Sequence, residues 1–408
     1  GPIIPSALAV INPLVPGSGY PFPRLTGAGI AFKIAWAMGQ RLSAGERVSS
    51  EFRAFLVDAV ALAAIGAIAD VAPLLDENRI LASYGVQALA ATTRPGLRAL
   101  CRVASLGSGA PRAWDVAFKL APRLNAAGRL GCARRAVDLL TTTDAAQAEE
   151  IAQELDRENT ARRAIQEQIV QDALAMIDAN GGVQGRLGLV LAGDSWRQGV
   201  VGIVAGQLAD RFARPTVVIA IEDGVGHGSA RSGGFVNLHA AIEQCADLLI
   251  SFGGHEHAAG LRVAPANIPA FAERFEQALA SQITEASLAP SLRIDLEMPL
   301  DAATPALARE IARLEPFGAG NPEPVFASLG LRVASEPRRA GADGKHLSFW
   351  ASQNGTGVRA IAFNQGPRAD ELRQAGVCSL AYCLRIDTYH GGRDVELEVK
   401  DIRLGAAV

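Results

Sequence analysis

The chain has 408 residues, 49% hydrophobic and 20% charged, which suits two or three well-filled domains and argues against a disordered protein. A net charge of −3 does not advertise nucleic-acid binding and leaves any polyanion contact to local basic patches. The five cysteines (Cys101, Cys132, Cys245, Cys378, Cys383) form no CxxC pair. Neither a disulfide framework nor a zinc site is expected, and a reducing cytoplasm fits best. No signal peptide is legible, and apolar runs such as Ala54 to Ala69, broken by Asp58, read as short for a membrane span.

The chain opens on GPIIPSALAVINP and enters a strand-like run, Ala7 to Asn12, at once; this reads as the middle of a domain. Gly27 to Leu42 carries apolar residues at helical spacing, and Glu51 to Ala69 predicts an almost wholly apolar helix buried on most sides. Pro73 follows as a breaker. Shorter helices are expected at Arg79 to Ala91, Gly96 to Ser105 and Trp114 to Leu120. Asp144 can cap a helix running to about Ala179, with Ile151, Leu155, Ile165, Ile169, Ala173 and Ile177 on one stripe. Its middle, DRENTARR at 156–163, reads as exposed. About 35 residues at 1.5 Å each give on the order of 50 Å, a length suited to linking domains.

From Leu187 strands and helices alternate: strand 187–192, helix Val200 to Arg211, strand Thr216 to Ile221, a short strand near Gly228, helix Leu238 to Ile250, a strand near Leu261 and helix Ile268 to Glu285. That order predicts an α/β domain. From about Ser291 short strands take over (292–297, 325–333, 346–351, 357–363, 378–385, 394–404) around one helix, Thr304 to Leu314. The series predicts a small β-barrel of the OB type.

Five strings could carry chemistry. Asp70, in ADVAPLLDENR, ends the apolar helix; it could be a hard-metal ligand or a helix-end carboxylate bonded to local amides, with Asp76 and Glu77 as turn residues. In APRLNAAGRLG, at 121–131, Arg123, Asn125 and Arg129 stand among small residues, which favours a phosphate grip over a close-packed helix start. GDSWRQGVVG, at 193–202, puts amides at a helix start, a weak anion signal by itself. GHGSARS, at 226–232, and SFGGHEHAAG, at 251–260, place Ser229, Arg231, Ser232, Gly253, Gly254 and His255 in glycine-rich segments. They suit either gripping a phosphate or forming a tight turn between helix and strand. Nine Lys/Arg against one acid between Arg94 and Arg135 make either a basic patch or a solvated helix face.

Taken in order, ADVAPLLDENR, APRLNAAGRL, DSWRQGVVGIVA, GSARS, GGHEHAAG and LEPFGAGNPEPVF resemble the RecJ family, single-stranded-DNA-specific 5′→3′ exonucleases of the DHH phosphoesterase superfamily. The resemblance implies an α/β multidomain chain: the C-terminal part of a DHH domain (1–142), a long connecting helix (143–181), an α/β DHHA1 domain (182–287) and a C-terminal OB-like barrel (288–408). It implies phosphodiester hydrolysis with two Mn²⁺ or Mg²⁺ ions, Asp70 as a metal ligand and catalytic residue, and Arg123, Asn125 and Arg129 on DNA phosphate near the 5′ end. Ser229, Arg231, Ser232, Gly253, Gly254 and His255 would complete that pocket. The family's DxD string, a further aspartate and its two histidines would lie before Gly1, so this chain alone is expected to bind DNA without cutting it. Arg197 stands where the family usually has histidine, and His257 falls at a variable position. Expected partners are single-stranded DNA with a 5′ end, a single-strand-binding protein and a helicase; a cytoplasmic monomer with no membrane contact fits. The alternative is a non-catalytic single-strand-binding accessory module. A nanoRNA or pAp phosphatase is disfavoured by the extra β-domain.

Overall fold

The computed structural model describes residues 6–43, 47–107, 109, 111–130, 132–234, 236–284, 288, 291–387 and 391–405. The opening pentapeptide, Gly131 and the expected helix end at Glu285 lie outside them. The chain divides into two compact units, one of Gly1–Thr92, Gly107–Ala117 and Leu292–Val408, the other of Thr93–Leu106 and Phe118–Ser291.

Residues 6–12 form no strand, and Leu8 is fully exposed: an extended run without a ladder partner gains nothing from its pattern. Helix α1 (Gly27–Leu42) starts at Thr26, whose hydroxyl accepts from the Gly29 amide at 3.1 Å. Helix α2 (Ser50–Ala69) is capped by Ser49, and α3 (Asp76–Ala90) takes Asp76 and Glu77 into its first turn instead of leaving them in a loop. Gly85 lets α3 press on α2, since a Cβ there would lie 2.5 Å from the Val60 carbonyl oxygen. Starting at Ser50, α2 has 20 residues and is long and apolar enough to cross a membrane, which corrects the reading of a run too short to do so. It is also not buried on most sides. Leu56, Val60, Ala64 and Ile68 are buried, whereas Phe55 and Val57 are exposed, and Val57 lines a groove of about 1110 Å³ with Trp36, Ile80 and Tyr84.

Helix α4 (Pro95–Val103) is followed by α5 (Ala113–Asp115), a π-helical turn at Val116–Leu120, and α6 (Ala121–Leu130). The wider π turn precedes Pro122, whose ring cannot donate and would crowd a regular turn. Helix α7 (Arg134–Thr141) was not anticipated; its Arg135 pairs with Glu154. Helix α8 (Ala145–Ala179) begins at Asp144, which accepts from the amides of Ala146 and Gln147 at 2.7 and 3.1 Å. It lies wholly inside the second unit, packed along its length on α4, α6 and α7 and then on α9 (Gln198–Phe212). Its DRENTARR stretch is not simply exposed, for Asn159 and Arg162 are buried.

The second unit also holds a five-stranded sheet of β1 (Leu189–Gly193), β2 (Thr216–Glu222), β3 (Val225–Arg231), β4 (Leu249–Gly254) and β5 (Ala258–Val263), in the order β1-β2-β3-β5-β4. Only β1 and β2 run parallel, joined through α9. Val218 and Ala220 pack on one face with residues of α8 and α9; Val217 and Ile219 pack on the other with α10 (Leu238–Glu243) and α11 (Ile268–Ala280). The helix expected to reach Ile250 stops at Glu243, and β4 begins at Leu249. Pairing of β4 with β5 decides that: an apolar stretch short enough for either structure follows the available sheet edge.

The first unit ends in β6 (Leu296–Glu297), α12 (Pro305–Ala312), β7 (Phe326–Val333), β8 (Arg338–Ala340), β9 (His346–Gln353), β10 (Thr356–Ala362), α13 (Ala369–Ala375), β11 (Val377–Ile386) and β12 (Val395–Leu404). Strands β7-β11-β12-β10-β9 close through a β7–β9 pairing into a five-stranded barrel. Tyr382, fully buried at its centre, keeps its hydroxyl 2.9 Å from the Ser328 hydroxyl. In the same unit the string at 314–326 clasps the loop after α2. The Leu74 amide donates to the Ala319 carbonyl and Arg79 Nη2 to the Leu314 carbonyl, both at 2.7 Å.

Candidate functional site

GHGSARS is a strand, β3, not a loop, and its alternation sorts the residues by chemistry. Gly226, Gly228 and Ala230 face the α10–α11 side, where a Cβ on Gly228 would come 2.7 Å from Leu261. His227, Ser229 and Arg231 face the α9 side. Ser229 and Arg231 approach α9 at Gly202, where a Cβ would sit 3.3 Å from Ser229 Oγ and 3.4 Å from Arg231 Nη2. One turn earlier, Gly199 admits the α6 backbone: its Cβ would fall 2.3 Å from the Arg129 carbonyl oxygen, and its own carbonyl accepts from Arg129 Nη1 at 3.0 Å. The two glycines of QGVVG thus let the first turns of α9 sit between Arg129 and Arg231.

The electrostatics are those of an anion site. Burial, and next the like charge of Arg129, push Arg231 below the usual arginine range. Burial, then Arg163 and Arg129, push Arg162 the same way. Arg162 donates to Asn159 Oδ1 at 3.1 Å and to Gln166 Oε1 at 2.7 Å, both neutral. Among the described residues none of Arg129, Arg162 and Arg231 pairs with a carboxylate. Three guanidinium groups near one another, two partly desolvated, repel unless an anion neutralises them. A phosphate matches their forked donors.

The sequence candidates separate here. Arg129 and Asn125 lie four residues apart on one exposed face of α6. Arg123 points the other way, with Nε on Asp156 at 2.8 Å, Nη1 on the Lys119 carbonyl at 2.6 Å and Nη2 on the Val103 carbonyl at 3.2 Å. These three bonds fasten α6 to α8 and α4, a structural role. Ser232 is fully buried, and its hydroxyl accepts from the Gly234 amide at 3.1 Å; it shapes the turn after β3 and presents no group to a ligand.

SFGGHEHAAG is the β4–β5 hairpin, not a turn between helix and strand. Gly254, at φ 146°, is required there because a Cβ would lie 2.4 Å from the Ala258 carbonyl oxygen. His255 is exposed at the tip, its amide donating to that carbonyl at 2.9 Å, and His257 is 3.0 Å from Glu256. Gly253 is exposed on the open face, where a Cβ would meet nothing within 4 Å. Arg197 is exposed at the N-cap of α9, and the preceding Trp196 is buried with its indole N–H on Asp172 at 3.2 Å.

Arg162 was missed, though a signal existed. Positions 155, 159, 162, 166, 169 and 173 continue one helical face, so Asn159 and Arg162 interrupt an apolar stripe at positions that must be buried.

Asp70 lies in the other unit, exposed, at the C-cap of α2. Neighbouring Glu77 is engaged by Lys33 and, at 2.5 Å, by the Tyr20 hydroxyl. Among the described residues no group of three or more His, Cys, Asp and Glu could hold a metal ion. One exposed carboxylate does not fit a divalent ion that needs several oxygen donors.

Residues 185–281 match the DHHA1 domain family and 294–401 the RecJ OB domain family. The single-stranded-DNA-specific exonuclease RecJ of Dickeya dadantii is 33% identical over 420 residues, covering 98% of this chain and 71% of that protein. The chain belongs to the RecJ family. The RecJ of Bacillus subtilis is 34% identical over 98% of the chain but 49% of its own length. The chain therefore spans about half of that relative. The crystal structure of RecJ in complex with Mn²⁺ from Thermus thermophilus superposes with a TM-score of 0.82 at 33% identity, covering 100% of this chain and 57% of that one. A second structure from that organism, in complex with Mg²⁺, gives 0.77 at 34% identity over 94% of this chain and 56% of that one. The DHHA1 family match contains Ser229, Arg231 and the hairpin; Arg129 and Arg162 precede it.

Proposed function

We propose that this chain is the DNA-holding portion of a RecJ-type exonuclease and that it grips the 5′-phosphorylated end of single-stranded DNA between Arg129, Ser229 and Arg231. The carrying observation is the cluster of guanidinium groups, without carboxylate partners among the described residues, at the glycine-opened start of α9. A 5′ phosphate carries more charge than an internal one, so it gains most where like charges are already crowded. Asn125 borders the same face of α6 and is assigned to the sugar-phosphate beside it; His255, at the hairpin tip, to DNA entering the site.

Hydrolysis in this reading needs Mn²⁺ or Mg²⁺, and among the described residues the donor set around Asp70 does not supply a site. No catalytic step is therefore assigned to this chain. The same reading has the protein working as a cytoplasmic monomer on DNA that a helicase and a single-strand-binding protein make available.

The test is to incubate the 408-residue chain with 5′-phosphorylated and 5′-hydroxyl single strands in Mn²⁺, following binding by anisotropy and length by gel. Tighter binding of the phosphorylated strand with no shortening is expected. Robust degradation would overturn the division between grip and metal chemistry; equal affinity for both ends would overturn the phosphate pocket.

A further inference from the structure

The α9-side face of the sheet continues beyond the arginine cluster onto β5 and β4, where Ser251, Gly253, Gly260 and Arg262 are exposed. Register fixes what stands there: Arg231 opposes Ala258, Ser229 opposes Gly260, and His227 opposes Arg262, which in turn opposes Ser251. An open cavity of about 420 Å³ lies over this face, lined by Gln198, His227, Ser229, Gly253, Gly260 and Arg262. Its floor is glycine without a packing reason. A Cβ on Gly253 would meet nothing within 4 Å, and one on Gly260 only a backbone oxygen at 3.9 Å. Small residues that no neighbour requires leave room for something brought from outside. Beyond the glycines stand two basic side chains, His227 and exposed Arg262, neither paired with a carboxylate among the described residues.

We infer that His227 and Arg262 form a second phosphate subsite, which takes the next backbone phosphate inward from the strand end held at Arg129, Ser229 and Arg231. The inference rests on the single-strand reading above and extends it to a path along the sheet. Same-face residues on a strand repeat at roughly 6.8 Å, close to the phosphate repeat of a stretched polynucleotide, so a strand lying along β3 meets the Ser229 row and then the His227 row. Gly260 and Gly253, in the Ser229 row, let sugar and phosphate lie on the backbone. Exposed Arg262 supplies a full charge, and His227 directs its ring into the same row.

The experiment measures anisotropy of 5′-phosphorylated and 5′-hydroxyl dT12 across a salt series, with the intact chain and its H227Q/R262Q, R262K and R231Q variants. For H227Q/R262Q, about tenfold weaker binding is expected, with a salt slope shallower by about 0.7, one single-strand phosphate contact. Its preference for the phosphorylated end should match the unsubstituted chain, and R262K should keep the original slope. R231Q should lose the end preference. A slope unchanged in H227Q/R262Q, with circular dichroism confirming the fold, overturns the second subsite; so does loss of the end preference in that variant. If the unsubstituted chain binds neither strand, the single-strand reading itself fails and this inference with it.

Discussion

Replacing Arg123 or Arg231 by alanine should separate holding the fold from holding the ligand. Arg123 is 13% exposed and spends its guanidinium on Asp156 and two carbonyls. Its loss strands those acceptors and should destabilise the second unit by about 2 kcal/mol, read as a lower denaturant midpoint, with DNA affinity intact in the folded fraction. Among the described residues the Arg231 guanidinium makes one hydrogen bond, to the Ala230 carbonyl, and its removal relieves repulsion with Arg129. Arg231→Ala should leave stability equal or higher while weakening single-strand binding at least tenfold. The reverse pattern would exchange their roles. Sequence brought both arginines forward from basic, small-residue strings but could not tell them apart. The separation is set by what each side chain meets: α8 and α4 place acceptors opposite Arg123 on α6, whereas Arg231 on β3 faces Gly202 of α9 and the like charge of Arg129.

Among the elements, α1 and α3 are tied by Glu77, and the tie has a defined pH window. Burial alone would raise the Glu77 pKa, but hydrogen bonds from Lys33 and Tyr20 outweigh it and hold the carboxyl below the usual glutamate range. The hydrogen bond to Glu77, followed by that to Tyr20, raises Lys33 above the usual lysine range. A depressed carboxylate stabilises the fold above its unfolded pKa of about 4.3 and loses that contribution as pH falls through the lower folded value. A raised lysine contributes fully below about 10.4 and loses its share as pH climbs through the higher folded value. Thermal unfolding of the first unit should therefore gain less from Lys33 and Glu77 at both extremes, and Glu77→Gln should flatten the acid limb. An acid limb identical in Glu77→Gln would remove the pair from the account. The elements themselves were largely legible. Asp144 starts α8 as its side-chain chemistry predicts, and the hydroxyls of Thr26 and Ser49, which the sequence reading did not single out, start α1 and α2 in the same way. Strand β4 was not, because sheet pairing overrode the local helical pattern.

At the scale of the molecule, the first unit presents an apolar groove edged by Trp36, Val57, Ile80 and Tyr84. Apolar surface gathered in one depression attracts apolar ligands. The chain should enhance 1-anilinonaphthalene-8-sulfonate fluorescence at neutral pH, and Val57→Glu combined with Tyr84→Lys should remove most of that signal while helix content stays constant. Dye fluorescence unaffected by the double change would place the binding surface elsewhere.

Amino-acid order alone determined the helices with polar caps, the strand alternation of the barrel and the motif strings that resemble RecJ, because those follow from contacts a few residues apart. Tertiary structure decided which polar residues matter. It buried Arg162 beside Asn159 with only neutral partners, turned Arg123 inward and Arg129 outward from one helix, and brought β3, β5 and β4 into a register that lines up Ser229, Gly260 and Gly253. Charge repulsion and open sheet surface arise between segments far apart in the chain, so no local pattern could specify them.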